Sequence, residues 1–303
     1  MLKTWKSFGL IAVLGLVLVL AACGGGDESE EESDTGSDES ASVGNDQEVQ
    51  LVYVNWDTEI ASTNVVGKVL ENLGYDVELT SVENAAMWEA VANDEADGMV
   101  AAWLPLTHES QFAEFGDQVE DLGTNLEGAK TGLVVPSYMD VESIEDLSDQ
   151  ADMTITGIEA GSGVVGATET VLEEYGNLSD WELQTSSSGA MTTALGDAIE
   201  NEEDIVVTGW SPHWMFSEYD LKYLEDPKGA YGEAENIKTM VRQGLKEDLP
   251  NVYKVLDQFN WTQEDINSVM VDVVVNGEDP EDAAEAWIEE NQDKVDEWTK
   301  GVE

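Results

Sequence analysis

The chain has 303 residues, and its 66 Asp and Glu residues against 12 Lys and Arg residues give a formal net charge of −54. This balance excludes a nucleic-acid-binding face and a polybasic membrane-binding patch, because so few cations among so many anions cannot form one. Hydrophobic residues make up 42% of the chain, enough for a buried core, and the single Cys excludes an intrachain disulfide framework and a multi-cysteine metal site.

Residues 1–22 have the pattern of a secretory signal peptide. Lys3 and Lys6 precede an apolar run over residues 8–22, which is too short to span a membrane comfortably. The run ends in Leu20-Ala21-Ala22-Cys23, is followed by three glycines, and resembles the lipobox of bacterial lipoproteins. The resemblance implies cleavage before Cys23 and attachment of a diacylglyceryl group to its sulfur. The alternative is a buried free thiol, but a Cys next to three glycines has no core to enter.

An acidic linker is predicted to follow the lipidated Cys23, over residues 23–48. Residues 27–48 contain ten acidic and no basic side chains among Ser, Gly and Asn. Such a segment cannot bury enough apolar surface to fold, and its charges repel one another. We therefore expect a disordered, extended spacer between the lipid anchor and the folded part.

From Val49 the chain alternates short apolar runs with helical patterns, which is typical of an α/β fold. The pattern predicts strands at 51–56, 76–82, 98–103, 133–136, 153–157, 181–186 and 204–210. It predicts helices at 59–73, 85–92, 163–175 and 189–200, and mostly helix beyond Ile237. We expect two α/β lobes, lobe 1 formed by 49–135 with 237–303 and lobe 2 by 136–236.

Three tryptophans, Trp56, Trp103 and Trp210, are each expected to close one of these strands. Ligands of open α/β sheets bind outside the carboxyl ends of strands. A single Trp at a strand end is most often a core residue, but three that converge on one cleft favour a ligand cage. Aromatic faces attract a quaternary ammonium group, which has no hydrogen to donate, and three rings contribute about 6 kcal/mol. Association costs about 4 to 15 kcal/mol, so a second anchor is needed.

The segment Gly161-Ser162-Gly163-Val164-Val165-Gly166 lies between a predicted strand and a predicted helix. Backbone N–H groups at such a helix start attract anions, so we expect a carboxylate on the N–H groups of Gly163 and Val164. The spacing also matches a dinucleotide-binding fingerprint, although no acidic residue stands near Ser186, where the ribose contact belongs. A glycine-rich turn without a ligand is the other alternative. His108, expected to be exposed after a Pro turn, is a candidate donor to the same carboxylate.

Other chemistry has little support in the sequence. His213, three residues after Trp210, is expected to start a helix and to orient its neighbours. Neither histidine has a Cys or second His at metal-ligand spacing, so we predict no metal site. The hydrolase motif GxSxG, the P-loop and the zinc-protease motif HExxH are missing, which predicts a protein that is not an enzyme and has no cofactor.

Taken together, these residues resemble the glycine betaine/proline betaine-binding lipoproteins of ABC importers for compatible solutes. The likeness extends from about Val49 to the end of the chain and is strongest in five segments: 55–64 (NWDTEIASTN), 102–108 (AWLPLTH), 161–163 (GSG), 208–214 (TGWSPHW) and 219–227 (YDLKYLEDP). The resemblance implies an α/β fold of the two-lobed type II periplasmic-binding-protein kind, with the ligand in the cleft between the lobes.

The resemblance also assigns roles to residues. Trp56, Trp103 and Trp210 match the family's prism around the trimethylammonium group. The carboxylate contacts of the family fall on the backbone N–H groups of Gly163 and Val164 and on the side chain of His108.

The implied protein is a monomeric, lipid-anchored receptor on the outer face of the cytoplasmic membrane of a Gram-positive bacterium. It would deliver glycine betaine, and also proline betaine, to ABC permease and ATPase subunits for osmoprotection. A choline or carnitine receptor of the same fold is an alternative, although choline lacks the carboxylate that His108 would bind. An exported dinucleotide-binding enzyme and a sugar-binding surface lipoprotein are two further alternatives.

The charge leads to a prediction about stability. Removal of the signal peptide takes Lys3 and Lys6 with it, so the formal charge changes from −54 to about −56. Self-repulsion among these carboxylates opposes compaction at low ionic strength, and salt screens it. We expect the midpoint of thermal unfolding to rise markedly with NaCl concentration, as for a protein adapted to a saline exterior. A midpoint that is the same in dilute buffer and in molar salt would contradict this expectation.

Overall fold

The structure is a computed structural model, and it describes residues 43–303. The predicted signal peptide, Cys23 and most of the predicted linker lie outside the described residues. The ordered fold begins earlier than the predicted end of the linker at residue 48. The N–H of Gly44 donates to the carbonyl oxygen of Leu73 over 2.9 Å, and that of Asp46 donates to Gly74 over 3.0 Å. These bonds attach the chain to the end of the first helix before the first strand begins.

The described residues form alternating strands and helices. The strands are β1 Glu48–Tyr53, β2 Asp76–Ser81, β3 Gly98–Leu104, β4 Val119–Pro136, β5 Thr154–Gly157, β6 Glu182–Thr185, β7 Val206–Ser211, β8 Leu221–Tyr223 and β9 Glu235–Arg242. The helices are α1 Asp57–Asn72, α2 Asn84–Ala92, α3 Glu109–Phe115, α4 Gly163–Glu174, α5 Ser188–Glu200, α6 Met215–Glu218, α7 Leu245–Asp248, α8 Pro250–Gln258, α9 Gln263–Val274, α10 Pro280–Glu290 and α11 Gln292–Trp298.

The strands are arranged in the order β2-β1-β3-β9-β4-β7-β5-β6, and β8 pairs with the last residues of β4. The first part, from β2 to β9 and the start of β4, is the sheet of the first lobe. The second part, from the end of β4 to β6, is the sheet of the second lobe. In the first lobe β1 is parallel to β2 and β3, whereas β9 is antiparallel to both of its neighbours. In the second lobe β5 is parallel to β6 and β7.

Strand β4 belongs to both sheets. Its residues up to Ala129 pair with β9, and its residues from Lys130 to Val134 pair with β7. The strand therefore changes partners before the predicted boundary between residues 135 and 136. The connection between β8 and β9 is the second passage between the two sheets.

Each strand and helix predicted up to residue 210 is present, with ends shifted by three residues or fewer except at the start of β4. The first part of β4 carries two glycines with positive φ, Gly123 and Gly128, and the register with β9 shifts beside both. These irregularities hide the strand in the sequence. Strand β9 lies in a region where mostly helix is predicted. From Glu235 to Thr239 its residues alternate between buried and half-buried, which is typical of a strand, and Met240 and Val241 are then both buried.

Helix α1 begins directly after Trp56 and fixes this first candidate residue at the cleft. Its buried face includes Ala61, Val65 and Val69 and packs against α9 and α10. Asp57 and Glu59 lie in its first turn, where the helix dipole favours negative charge. The helix ends before Gly74, whose φ of 90° suits glycine. Burial of the apolar face therefore fixes the position of the acidic first turn.

Other tryptophans pack in the core. Trp287 and Trp298 are stacked with ring centroids 5.6 Å apart, and Trp261 meets Trp287 edge-on at 5.7 Å. Trp88 and Trp181 are also buried. Within residues 43–303 no helix has the length and the apolar character needed to cross a membrane.

Candidate functional site

One cavity lies where the strand ends of the two lobes face each other. The cavity is lined by Trp56, Thr58, Trp103, Thr107, His108, Thr131, Ile158, Ser162, Gly163, Val164 and Trp210. The six residues predicted to bind a ligand are all among them, so the fold brings together residues from both lobes.

The three tryptophans of the predicted cage are buried, with 6%, 3% and 5% of their surface exposed for Trp56, Trp103 and Trp210. Trp103 and Trp210 are the next-to-last residues of β3 and β7. Trp56 follows β1 by a short gap and precedes α1, where its carbonyl accepts from the N–H of Ile60 over 2.8 Å. Trp56 is therefore fixed by the start of a helix rather than by a strand.

Carboxylates hold the indole nitrogens of two residues of the predicted cage. Trp103 Nε1 donates to Glu59 Oε1 over 2.8 Å, and Trp56 Nε1 donates to Glu159 Oε1. Sequence reasoning did not identify these acceptors among the 66 acidic residues. Their positions in the sequence could have identified them. Glu59 lies about one helical turn after Trp56 at the start of α1, and Glu159 lies shortly before the glycine-rich turn.

His108 is buried, with 0% of its surface exposed, and the expectation of an exposed His108 is wrong. Its loop turns inward because Glu235, itself 2% exposed, accepts hydrogen bonds from the N–H groups of Leu106 and Thr107 and from the Thr107 hydroxyl. The imidazole lies near Trp56, with ring centroids 6.0 Å apart and planes 30° from parallel. The loop thus places the ring on the wall of the cavity.

The protonation of His108 follows from its contacts. Nδ1 accepts from the backbone N–H of Trp103 over 3.2 Å, so the proton of the neutral ring is on Nε2. Nε2 is buried and finds no hydrogen-bond partner among the described residues. Burial lowers the pKa of His108 to about 3. His108 is therefore a neutral donor with an unused N–H at the cavity.

The start of α4 supplies further donors. The first N–H groups of a helix have no intrahelical acceptors, and the side chain of Ser162, the residue before Gly163, does not accept from them. The backbone approaches the other lobe closely here, since a Cβ on Gly163 would lie 1.9 Å from the carbonyl oxygen of Thr107. Only glycine fits this approach, and the donors of Gly163 and Val164 lie beside the His108 loop.

Contacts beside the cavity join the two lobes. Trp214 Nε1 donates to Asp57 Oδ2 over 2.9 Å, and His213 Nε2 lies 3.2 Å from the same oxygen. Burial raises the pKa of Asp57, but the contact with His213 and the hydrogen bond from Trp214 outweigh this effect, so the pKa is lowered. Asn84 adds a 3.3 Å bond to the carbonyl of Gly161. These contacts hold the lobes in a closed arrangement.

His213 does not line the cavity but packs behind it. Its ring meets Trp210 edge-on at 4.5 Å, and its Nδ1 accepts from the N–H of Met215 over 3.2 Å. This placement agrees with the expected role of a residue that orients its neighbours. In the part of the chain that the structure describes, no group of three or more His, Cys, Asp and Glu side chains is placed to hold a metal ion.

Comparison with known proteins gives a family match over most of the chain. Residues 47–290 match the family described as the substrate-binding domain of ABC-type glycine betaine transport systems. The chain is 55% identical over 161 residues to the glycine betaine/carnitine transport binding protein GbuC of Listeria monocytogenes, in an alignment that covers 52% of this chain and 53% of that protein. This match therefore spans about half the length of the Listeria protein.

Solved structures with the same architecture are also similar in sequence. Lactococcal OpuAC, in its closed-liganded conformation complexed with glycine betaine, matches with a TM-score of 0.82 and 58% identity, over 84% of this chain and 100% of that chain. The glycine/betaine/L-proline-binding protein ProX of Borrelia burgdorferi matches with a TM-score of 0.81 and 36% identity, over 84% and 97% of the two chains. The predicted two-lobed α/β fold is confirmed.

The burial of His108 leads to a prediction about pH. We expect its ring to stay neutral, with the proton on Nε2, down to about pH 4, because its folded pKa of about 3 lies below the unfolded value of about 6.5. The unfolded chain binds the proton first, so the contribution of His108 to stability is lost as pH falls from about 6.5 towards 3. Imidazole ¹⁵N spectra test this directly, and His108→Gln assigns the signal. Protonation of His108 near pH 6 in the folded protein would contradict the prediction.

Proposed function

The chain belongs to the family of substrate-binding domains of ABC-type glycine betaine transport systems, and from this membership we propose that it binds glycine betaine in the cavity between its lobes. Members of this family are receptors for transport rather than enzymes. The main support for the ligand is the meeting of two unlike features in one cavity: three tryptophans and an unpaired, neutral N–H on His108.

The tryptophans suit the cationic end of glycine betaine. Its trimethylammonium group offers only methyl groups, so its main specific attraction is to the negative faces of aromatic rings. Trp56, Trp103 and Trp210 line the cavity and are almost fully buried, which removes water that would weaken each contact. Desolvated cation–π contacts contribute about 2 kcal/mol each. We propose that these three rings form the cage for the trimethylammonium group.

The opposite wall suits the carboxylate of glycine betaine. We propose that the N–H groups of Gly163 and Val164 and Nε2 of His108 donate to it, at the positive end of the α4 dipole. Hydrogen bonds to a charged group contribute about 1.5 to 3 kcal/mol each. The two sets of contacts together offset an association cost of about 4 to 15 kcal/mol.

Ligand binding and lobe closure are coupled in this proposal. Trp56, Trp103 and His108 come from the first lobe, whereas Gly163 and Trp210 come from the second. The ligand therefore contacts both lobes only when they are closed, and these contacts stabilise the closed arrangement. The lobes would close by a hinge motion around the two passages, in β4 and before β9. We propose the predicted division into 49–135 with 237–303 and 136–236, with the first passage moved to the change of partners after Ala129.

We propose that the ligand range extends to related zwitterions. Proline betaine carries the same quaternary nitrogen and carboxylate. The name of the Listeria relative includes carnitine, which has a longer spacer between the same two groups. Choline lacks the carboxylate and leaves the donors of His108 and Gly163 unpaired, so we expect it to bind more weakly than glycine betaine.

The cellular setting follows from residues outside the described part of the chain and from the family. We propose a lipid-anchored, monomeric receptor, exported by the signal peptide, cleaved before Cys23 and held on the outer face of the cytoplasmic membrane. It would deliver its ligand to ABC permease and ATPase subunits for osmoprotection. The acidic surface supports the interpretation that the protein works in saline surroundings, where a cell needs compatible solutes. A zwitterion has no net charge, so this surface does not steer the ligand.

The first test is the affinity of the Trp210→Ala variant. We expect isothermal titration of the parent protein with glycine betaine to give a dissociation constant near micromolar, and the variant to bind at least about tenfold more weakly. Trp210→Phe keeps an aromatic face and is expected to lose less. Titrations with proline betaine, carnitine and choline rank the ligands in the same assay. If Trp210→Ala bound as tightly as the parent, the cage would be wrong.

The second test uses the close approach of the lobes at Gly163. Its Cβ would meet the Thr107 carbonyl at 1.9 Å, so Gly163→Ala is expected to prevent full closure and to weaken glycine betaine binding by at least about tenfold. Gly166→Ala is a matched control on the same helix, since a Cβ on Gly166 would meet nothing within 4 Å. We expect the control to bind like the parent. Equal affinities for Gly163→Ala and Gly166→Ala would show that closure does not depend on this contact.

A further inference from the structure

We infer that the buried carboxylate of Glu59 positions Trp103 and strengthens its attraction for a cation in the cavity. This inference rests on the proposed function, because it concerns how the same cavity holds a quaternary ammonium group. Glu59 does not line the cavity, but its hydrogen-bond partner Trp103 does. It is therefore a positioning residue that acts through the indole.

The geometry around Glu59 is closed. The side chain lies in the first turn of α1 with 1% of its surface exposed. Oε1 accepts from Trp103 Nε1 over 2.8 Å, and the Thr58 hydroxyl lies 3.4 Å from the same oxygen. Thr58 and Trp103 both line the cavity, so these two donors connect Glu59 to its wall. This arrangement fixes the plane of the Trp103 ring.

The negative charge of Glu59 has a second effect. An indole N–H that donates to a carboxylate becomes more polarised, and the ring gains electron density. A cation–π contact is electrostatic, so a more negative ring face attracts a trimethylammonium group more strongly. The anion also acts on the cation directly across a medium of low dielectric constant. Both effects require that Glu59 be ionised, whereas the position of the ring requires only an acceptor at Oε1.

The ionisation of Glu59 is balanced near neutral pH. Burial raises the pKa of Glu59 to about 7, against the lowering effect of its hydrogen bonds with Trp103, Thr58 and Ser62. The dipole of α1 favours the anion as well. Within the described residues, no ionised side chain is among the causes of this shift. The nearest charged neighbour on the helix, Asp57, is instead engaged with the second lobe.

The other titratable groups near the cage face different partners. Asp57 contacts His213 and Trp214, Glu159 accepts from Trp56, and burial keeps the pKa of His108 far below neutral. On the elements packed against α1, Glu285 of α10 faces Lys68 at the far end of the helix. Glu59 is thus the buried group whose charge changes behind a ring of the cage.

A linkage between protons and ligand follows. The cation favours the ionised form of Glu59, so ligand binding lowers its pKa, and protonation in turn weakens binding. Affinity for glycine betaine is fully present above about pH 8 and decreases as pH falls through about 7. At low pH the ring keeps its place but loses the added attraction.

The experiment compares the parent with Glu59→Gln, which keeps an acceptor oxygen and removes the charge. We expect calorimetric titration with glycine betaine to show about three- to tenfold weaker binding by the parent at about pH 5.5 than at about pH 8.5. Glu59→Gln should bind equally at both pH values, close to the affinity of the parent at low pH. Glu89→Gln, which removes an exposed charge on α2, should behave like the parent. Both histidines are present in each protein, so the parent and Glu59→Gln differ only at residue 59.

A measurement without ligand separates this inference from the proposed function. The indole ¹H–¹⁵N signal of Trp103, assigned with Trp103→Phe, should move with pH around 7 in the free parent protein and stay constant in Glu59→Gln. If the parent bound no glycine betaine at any pH, the proposed function would be wrong while this signal still tested the linkage. The inference is overturned if Glu59→Gln keeps the pH dependence of the parent, or if the Trp103 signal does not respond to pH near 7.

Discussion

A tryptophan ring beside a buried cleft needs an acceptor for its indole N–H, because an unpaired polar group in such a place is costly. For three tryptophans at or beside the cleft, carboxylates meet that need. Trp103 donates to Glu59, Trp56 to Glu159, and Trp214 to Asp57. Two of these bonds cross from one lobe to the other, so the requirement that orients the rings also brings the lobes together. The start of α1 supplies two of the three acceptors, and burial of the apolar face of that helix holds them in place.

Much of this arrangement is readable from the sequence, for a physical reason. Apolar runs that end in Trp and precede helical patterns locate β1, β3 and β7, and strand ends in such folds meet at one cleft. The glycine-rich turn before α4 adds the donors of Gly163 and Val164 in the same way. What is not readable depends on contacts between distant residues. The burial of His108 requires Glu235, which is 127 positions away along the chain, and β9 lies hidden among helical patterns because its partners β3 and β4 complete it.

Composition illustrates the same limit. Most of the 66 acidic residues solvate the surface, and nothing in their number distinguishes Asp57, Glu59 and Glu159 from the others. Position makes the difference: Asp57 and Glu159 are partly buried and accept from indole N–H groups, and Glu59, with 1% of its surface exposed, also has its pKa raised by burial. These carboxylates are identified by their partners in the fold, which the composition does not show.

Strand β4 is shared by the sheets of the two lobes. Its first part completes one sheet beside β9, and its last part completes the other beside β7. A fragment that ends at Ala129 would lack β9, the strand between β3 and β4, and the bare edges of these two strands invite pairing with other chains and aggregation. In the chain, the strands of the first sheet lie on both sides of those of the second, with β9 after β8. No contiguous gene fragment therefore encodes the first sheet without the second.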